Sequence, residues 1–326
     1  MLEPKNYHNP FTFYLYVAMN MTQLQLIFLG TGGSWPSVKR NVSSIAIKRG
    51  SEILLFDCGE GTQRQFQKSH LSYMQIKNIF ITHYHGDHFL GLPGLIQTMQ
   101  LNDRNIPLHI YGPEGIHDLV NDVVSLGYFK PTYEILSHEV ADSDIVDFKE
   151  FEIHVLKVSH GVPSLAYSLV EKERPGKFNK PKALELNIPE GPLFSKLQKG
   201  HTIKLKDGTE IHPEMVMGPK RPGRKIVYSG DTRPVETMIE FAKHADVLIH
   251  EGTFDSSLND ISYQYGHSTV EEAAIIAKNA EVKMLFITHI SPRYYESEDL
   301  KKEAEKKFNK VIIPKDFDTF TIPLKK

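Results

Sequence analysis

Ile79-Phe80-Ile81-Thr82-His83-Tyr84-His85-Gly86-Asp87-His88 is the stretch on which the reading of this chain turns. An apolar, strand-like run ends in three imidazoles and one carboxylate within six residues. Four titratable side chains side by side are costly to bury unless something pairs them. A divalent transition metal suits imidazole plus carboxylate. The pattern returns at Leu285-Phe286-Ile287-Thr288-His289, where a second apolar run ends in Thr-His. The echo is short. It is consistent with two β-rich halves that bring these strand ends to one edge.

Further candidate ligands stand in the same kind of place. His160 follows the strand expected over 153–158. Asp231 lies in Gly230-Asp231-Thr232 after the run Ile226-Val227-Tyr228, and His289 closes the run from Met284. Each sits where a strand gives way to a loop, the position from which side chains converge on a shared rim. Three protein ligands and a water make one open catalytic zinc site. Seven candidates, one of them able to bridge, serve two such sites. Asp231 is the natural bridge because a carboxylate has two oxygens. His83, His85 and His160 then complete one site, and Asp87, His88 and His289 the other. Two metals roughly 3.5–4 Å apart oppose charge that builds on a phosphoryl or tetrahedral centre. Closed structural zinc sites favour Cys, and Cys58 is alone.

A pair for proton transfer is legible nearby. His250-Glu251 ends the strand expected over 247–249. Gly266-His267-Ser268-Thr269 opens a helix whose capping box reads Ser268-Thr269-Val270-Glu271. A histidine beside a helix N-terminus loses basicity, and a carboxylate such as Glu251 restores it. Such a pair can protonate a leaving oxygen, or serve only to cap or support.

Composition bounds the rest. The chain has 326 residues, 40% hydrophobic and 24% charged, as in ordinary soluble globular proteins. A formal charge of −2 gives no global argument for nucleic-acid binding, so RNA contact must come from local patches. The lone cysteine fits a reducing compartment. Strand-like and helix-like segments alternate without a long linker, which predicts a single α/β domain over 21–326. Residues 1–20 read as a disordered N-terminal extension. The run Phe11–Met19 within it is too short to span a bilayer. The stretch 171–206 departs from the rest. Nine cations (Lys172, Arg174, Lys177, Lys180, Lys182, Lys196, Lys199, Lys204, Lys206) face four acids there (Glu171, Glu173, Glu185, Glu190). Long insertions of this kind tend to be functional or disordered. Gly218 to Lys225 holds four more cations and no acid, as an RNA patch or a plain charged turn would.

At these residues the chain resembles the metallo-β-lactamase superfamily, whose signature is His-x-His-x-Asp-His. Within it the chain is similar to the short-form ribonuclease Z family of tRNA 3′-processing endonucleases. The likeness runs from about Gln23 to Pro323. It includes Leu29-Gly30-Thr31-Gly32, Asp57-Cys58-Gly59-Glu60-Gly61-Thr62, Gly91-Leu92-Pro93-Gly94 and Ser229-Gly230-Asp231-Thr232. It implies a four-layer αβ/βα sandwich with a protruding basic arm, two zinc ions per subunit, a homodimer, a cytoplasmic location and precursor tRNA as substrate. Asp87 is then expected to orient the attacking water and accept its proton, and His267, held by Glu251, to protonate the departing 3′ oxygen. Arg40 and Asn41 are expected at the phosphate, and Arg174 and Lys177 in the arm that grips tRNA. The family's Pro-x-Lys-x-Arg-Asn loop appears as Pro36-Ser37-Val38-Lys39-Arg40-Asn41, with Val38 at the lysine position. Lys39 is the residue that would have to substitute. The same metals would also serve hydrolysis of a small phosphodiester or thioester, but such a substrate needs no remote basic grip.

Overall fold

The computed structural model of the protein describes residues 23–325, and the extension expected over 1–20 lies outside them. Two seven-stranded sheets form the middle of the molecule. The first holds β1 (Leu24–Gly30), β2 (Ser44–Arg49), β3 (Glu52–Phe56), β4 (Ile76–Phe80), β5 (Leu108–Gly112), β6 (Ile135–Glu139) and, at its edge beside β1, β16 (Thr319–Ile322). The second holds β7 (Ile145–Asp147), β8 (Phe151–Val158), β9 (Ser164–Glu171), β12 (Lys225–Tyr228), β13 (Val247–Glu251), β14 (Leu285–Thr288) and β15 (Val311–Ile312).

Strand periodicity explains the layers. Successive side chains point to opposite faces. Leu24, Leu26 and Phe28 of β1 therefore enter the core between the sheets, with Phe80 of β4 and Phe286 of β14. Ile27 and Leu29 face outward, where α1 (Thr62–Lys68), α3 (Leu92–Leu101) and α4 (Ile116–Ser125) cover them. On the far side α7 (Glu236–Ala242), α9 (Val270–Asn279) and α10 (Glu298–Glu305) cover Val227, Leu248, Leu285 and Ile287. Both faces of each sheet are thus buried. That is why the end of β4 and the starts of β13 and β14 read as short continuous apolar runs rather than alternating ones. The result is the expected αβ/βα sandwich.

Strands β3 to β6 run parallel, as do β12 to β15. Their C-terminal ends share one rim, which carries the Thr-His ends of both β4 and β14. Helix α9 starts one residue later than its sequence pattern indicated. The text S/T-x-x-E matches twice, and Thr269 with Glu272 forms the box while Ser268 Oγ donates to the Thr232 carbonyl at 2.7 Å.

The basic excursion between β9 and β12 runs over 172–224, longer than the 171–206 read from composition. It contains α5 (Lys180–Glu185), α6 (Pro192–Gln198) and the hairpin β10 (Ile203–Lys204) and β11 (Glu210–Ile211). Ala183, Ile188, Leu197, Ile203, Ile211 and Val216 give it a small apolar core of its own. Antiparallel bridges Arg174–Arg221 and Phe178–Met217 make a stalk at its base. The Gly218–Lys225 turn is part of that stalk, and Lys220 is the one of its four cations that stands exposed. Arg224 is buried, with Nε and Nη2 each 2.7 Å from Glu171. Arg221 Nε donates to the Pro175 carbonyl, and Lys225 Nζ to that of Lys243.

Candidate metal centre

The rim brings the seven expected ligands together although they span residues 83 to 289. His83, His85 and His160 place one ring nitrogen each within 4.8 Å of one another. Asp87, His88 and His289 form a second such trio. Asp231 lies between them. Its Oδ2 is 3.7 Å from His83 Nε2, 3.4 Å from His88 Nε2 and 3.2 Å from His289 Nε2. His83, His88, His160 and His289 direct Nε2 inward. His85 directs Nδ1, which lies 3.1 Å from both His83 Nε2 and His160 Nε2.

The opposite nitrogen of four rings is held from behind. His88 Nδ1 lies 2.7 Å from Asp57 Oδ2, and His83 Nδ1 is 3.0 Å from Thr82 Oγ1. His160 Nδ1 donates to the Gly266 carbonyl at 2.7 Å, and His289 Nδ1 lies 2.9 Å from Thr253 Oγ1. Such partners set the tautomer that leaves the inner nitrogen as an electron donor. Asp57 stands in the sequence only within the family-like run Asp57–Thr62, with no role of its own. It is fully buried, and its carboxylate also accepts from Thr82 N (2.8 Å), Thr82 Oγ1 (3.0 Å) and the Tyr228 hydroxyl (2.8 Å). Glu251 plays the matching part in the other sheet. It accepts from Thr232 N (2.9 Å), Thr253 Oγ1 (2.7 Å) and His267 Nδ1 (2.9 Å).

Backbone geometry at the rim is unusual. Asp57 and His289 have φ of 57° and 58°, a left-handed conformation that non-glycine residues adopt at a cost and that gathers at functional sites. Gly230 (φ 58°) lies so close to Thr82 that a Cβ would come within 2.9 Å of its side chain, which lets Asp231 reach the first sheet. Gly33 packs flat on the His289 ring, and a Cβ there would lie 2.3 Å from a ring carbon. The next residue, Ser34, donates its N–H to Asp87 Oδ2 at 2.6 Å.

Charge in the cluster follows from this packing. Burial disfavours the Asp231 carboxylate, but the imidazoles of His289 and His88 override it and hold its pKa well below the ordinary value. Burial likewise works against charge on His267. The carboxylate of Glu251 outweighs it and raises the pKa to about 9.

Arg40 and Asn41 both line a cavity beside their loop and both also have protein partners. The Arg40 guanidinium, expected at a phosphate, bonds Thr31 Oγ1 (2.6 Å), the Pro314 carbonyl (2.7 Å) and Ser297 Oγ (3.2 Å). Asn41 Nδ2 donates to the Glu60 carbonyl at 2.9 Å. Both residues brace loop 36–41. Val38 stands fully exposed at the family's lysine position, and Lys39 pairs with Glu296. The cations that line the cavity of about 660 Å³ beside this loop include Arg64, Lys68 and Lys315, none of which the sequence reading singled out. Arg174 is half-buried in the stalk, donating to the Lys325 carbonyl at 3.0 Å, whereas Lys177 is exposed.

The donor set fits metal. His88 Nε2 and Asp231 Oδ1 are buried with no hydrogen-bond partner, and both belong to the cluster. An orphaned buried donor or acceptor costs about 1–3 kcal/mol, which coordination to a cation removes. Nitrogen and carboxylate oxygen suit zinc, manganese or iron.

A four-layer αβ/βα sandwich with paired His/Asp trios at one rim defines a metallo-β-lactamase-fold protein that binds divalent metal. A beta-lactamase superfamily domain matches residues 204–290, and the model of the anti-Pycsar protein Apyc1 matches residues 24–173. Ribonuclease Z of Methanosarcina acetivorans is 46% identical over 301 residues, covering 92% of this chain and 98% of that protein. Ribonuclease Z of Pyrococcus horikoshii is also 46% identical, over 92% of this chain and 96% of its own length. The crystal structure of human tRNase Z, short form (ELAC1), superposes with a TM-score of 0.68 at 31% identity, covering 92% of this chain and all of that one. The chain belongs to the ribonuclease Z family.

Proposed function

We propose that the protein is a zinc-dependent endoribonuclease that cuts the 3′ trailer from precursor tRNA. It leaves a 3′-hydroxyl on the tRNA and a 5′-phosphate on the trailer. The observation that carries this reading is the pair of ligand trios sharing Asp231 beside a carboxylate-held imidazole, in a chain of this family. His83, His85 and His160 would hold one ion and Asp87, His88 and His289 the other, with Asp231 available to both sets. When bound, the ions supply Lewis acidity toward the scissile phosphate and a nucleophilic water at neutral pH.

The chain's own groups do the rest. Asp87, fixed by the Ser34 N–H, orients the attacking water and takes its proton. His267 Nδ1 donates to Glu251, which leaves Nε2 to hand a proton to the departing 3′ oxygen. The Glu251 carboxylate favours the charged form of that imidazole. The arm grips the tRNA body away from the chemistry, where phosphate contacts position a substrate without reading its sequence. Lys177 is one of its exposed cations. The working molecule is a cytoplasmic homodimer.

The match of residues 24–173 to the Apyc1 model favours a second reading, a hydrolase of small phosphodiesters or thioesters. The folded arm weighs against it, because a small substrate reaches no part of that excursion. Incubation with a precursor tRNA and mapping of both product ends tests the first reading. Cleavage is expected after the discriminator nucleotide, abolished by chelation and restored by zinc or manganese. Asp87→Ala is expected to retain tRNA affinity and lose cleavage. Ends elsewhere, or cutting indifferent to chelator, would sink the reading.

A further inference from the structure

Trp35, the only tryptophan in the chain, is 62% exposed. It stands on a tight turn, with its N–H bonded to the Gly33 carbonyl at 2.9 Å and Pro36 following. Tyr295, 75% exposed, stands across a slot of about 210 Å³ that runs from Gly32 and Ile290 past Val38 and Pro292. Lys39 Nζ covers one face of the Tyr295 ring at 3.5 Å. An indole is among the side chains that gain most from burial, so one held in water by a braced loop has no folding role to account for it.

The slot adjoins the reaction centre along the chain. Trp35 is two residues from Gly33, which lies on the His289 ring, and adjoins Ser34, whose N–H holds Asp87. Ile290 directly follows His289 and accepts from Gly33 N at 3.2 Å. An unpaired strand whose phosphate lies at the ligand trios must pass its neighbouring bases along this wall. Aromatic faces beside a backbone path are what unpaired bases stack on.

We infer that Trp35 and Tyr295 form a stacking subsite for one unpaired nucleobase flanking the scissile phosphate. The inference rests on the RNA-cleavage reading and adds a positioning role for the base beside the cut. The slot accepts purine or pyrimidine, since every base has a π-face.

Because Trp35 is the sole indole, its emission reports this slot alone. The test compares the metal-loaded enzyme on three precursor tRNAs: intact, abasic at the discriminator and abasic at the first trailer nucleotide. One abasic position is expected to lower kcat/KM about tenfold or more, the value of a single stacked base, mainly through KM. Trp35→Ala is expected to show that loss on the intact precursor and little further loss on the abasic one, and Trp35→Phe to recover most of it. Indole emission should be quenched by the intact precursor and not by the sensitive abasic one. The subsite is overturned if Trp35→Ala loses the same factor on all three substrates, or if emission ignores the intact precursor. It is equally overturned if emission follows protein dilution without RNA, which would place the indole in a contact between copies. If wild type leaves every precursor uncut, the functional reading fails instead, and quenching by a single-stranded tetranucleotide still decides the slot.

Discussion

Asp57 shows how much of this centre depends on residues that touch no metal. Four donors converge on one buried carboxylate, and one of them is the ring of His88. Asp57→Asn keeps the volume but removes the charge that fixes the ring's tautomer. A loss of about 10- to 100-fold in metal affinity or cleavage is expected, as for other partners behind metal-bound imidazoles. Metal content after dialysis and titration with zinc would measure it, and unchanged stoichiometry with unchanged turnover would refute it. Gly33 is a second such position. Gly33→Ala puts a methyl group into the His289 ring, so cleavage should fall sharply while the circular dichroism spectrum keeps its native shape. A fully active Gly33→Ala enzyme would show that His289 has room to move. Neither role was legible beforehand. Asp57 meets His88 across 31 residues of chain and Tyr228 across 171, and no local pattern encodes such partners.

Among the elements, the strands were the most legible and the turns between them the least. The end of β4 and the start of β14 announce themselves as short apolar runs because both faces of their sheets are covered. The junction of β9, β12 and β16 was hidden. There Glu171 receives Arg224 and Arg49 (3.1 Å), while Arg224 also reaches the Ile322 carbonyl at 2.8 Å. This ties the second sheet to β2 and β16 of the first. Burial favours the neutral acid, but the guanidiniums of Arg224 and Arg49 override it and hold the Glu171 pKa below its ordinary value. Glu171→Ala leaves a buried guanidinium uncompensated and is expected to cost about 3–5 kcal/mol in urea denaturation. The pH dependence has a definite sign. A depressed folded pKa stabilises above the unfolded value of about 4.3 and ceases to do so as pH falls through the folded one. The stability gap between wild type and Glu171→Gln should therefore narrow on acidification below about pH 4.5. A gap that stays constant to lower pH would show that the pair carries no charge coupling.

Taken whole, the molecule divides its labour between a rim and an arm. The stalk closes on itself at Arg174–Arg221, and Glu171 N bonds the Arg224 carbonyl at 2.9 Å. Residues 176–219 can therefore be replaced by a short turn without opening either sheet. That variant removes the whole small core instead of splitting it, as removal of 174–200 would. Cleavage of precursor tRNA is expected to fall by about two orders of magnitude or more, while a small chromogenic phosphodiester is still hydrolysed at close to the wild-type rate. That factor corresponds to about 3 kcal/mol of lost remote binding. Equal loss on both substrates in a folded variant would assign the arm a part in holding the centre together. Metal removal acts on the whole molecule as well. Chelation should lower the melting temperature, because ions that bind only the folded chain stabilise it by mass action.

Ligand chemistry and strand period are local properties, written in neighbouring residues. The metal-binding type, the αβ/βα layering and all seven ligand candidates could therefore be read before any coordinates. Which ring nitrogen turns inward, which arginine faces solvent and which braces a loop depend on partners brought close by packing. Arg40, Arg224 and Asp57 carry no local sign of their partners, and each proves to be engaged or buried. Their roles are set by long-range contacts between the two sheets, and only the folded chain makes those contacts.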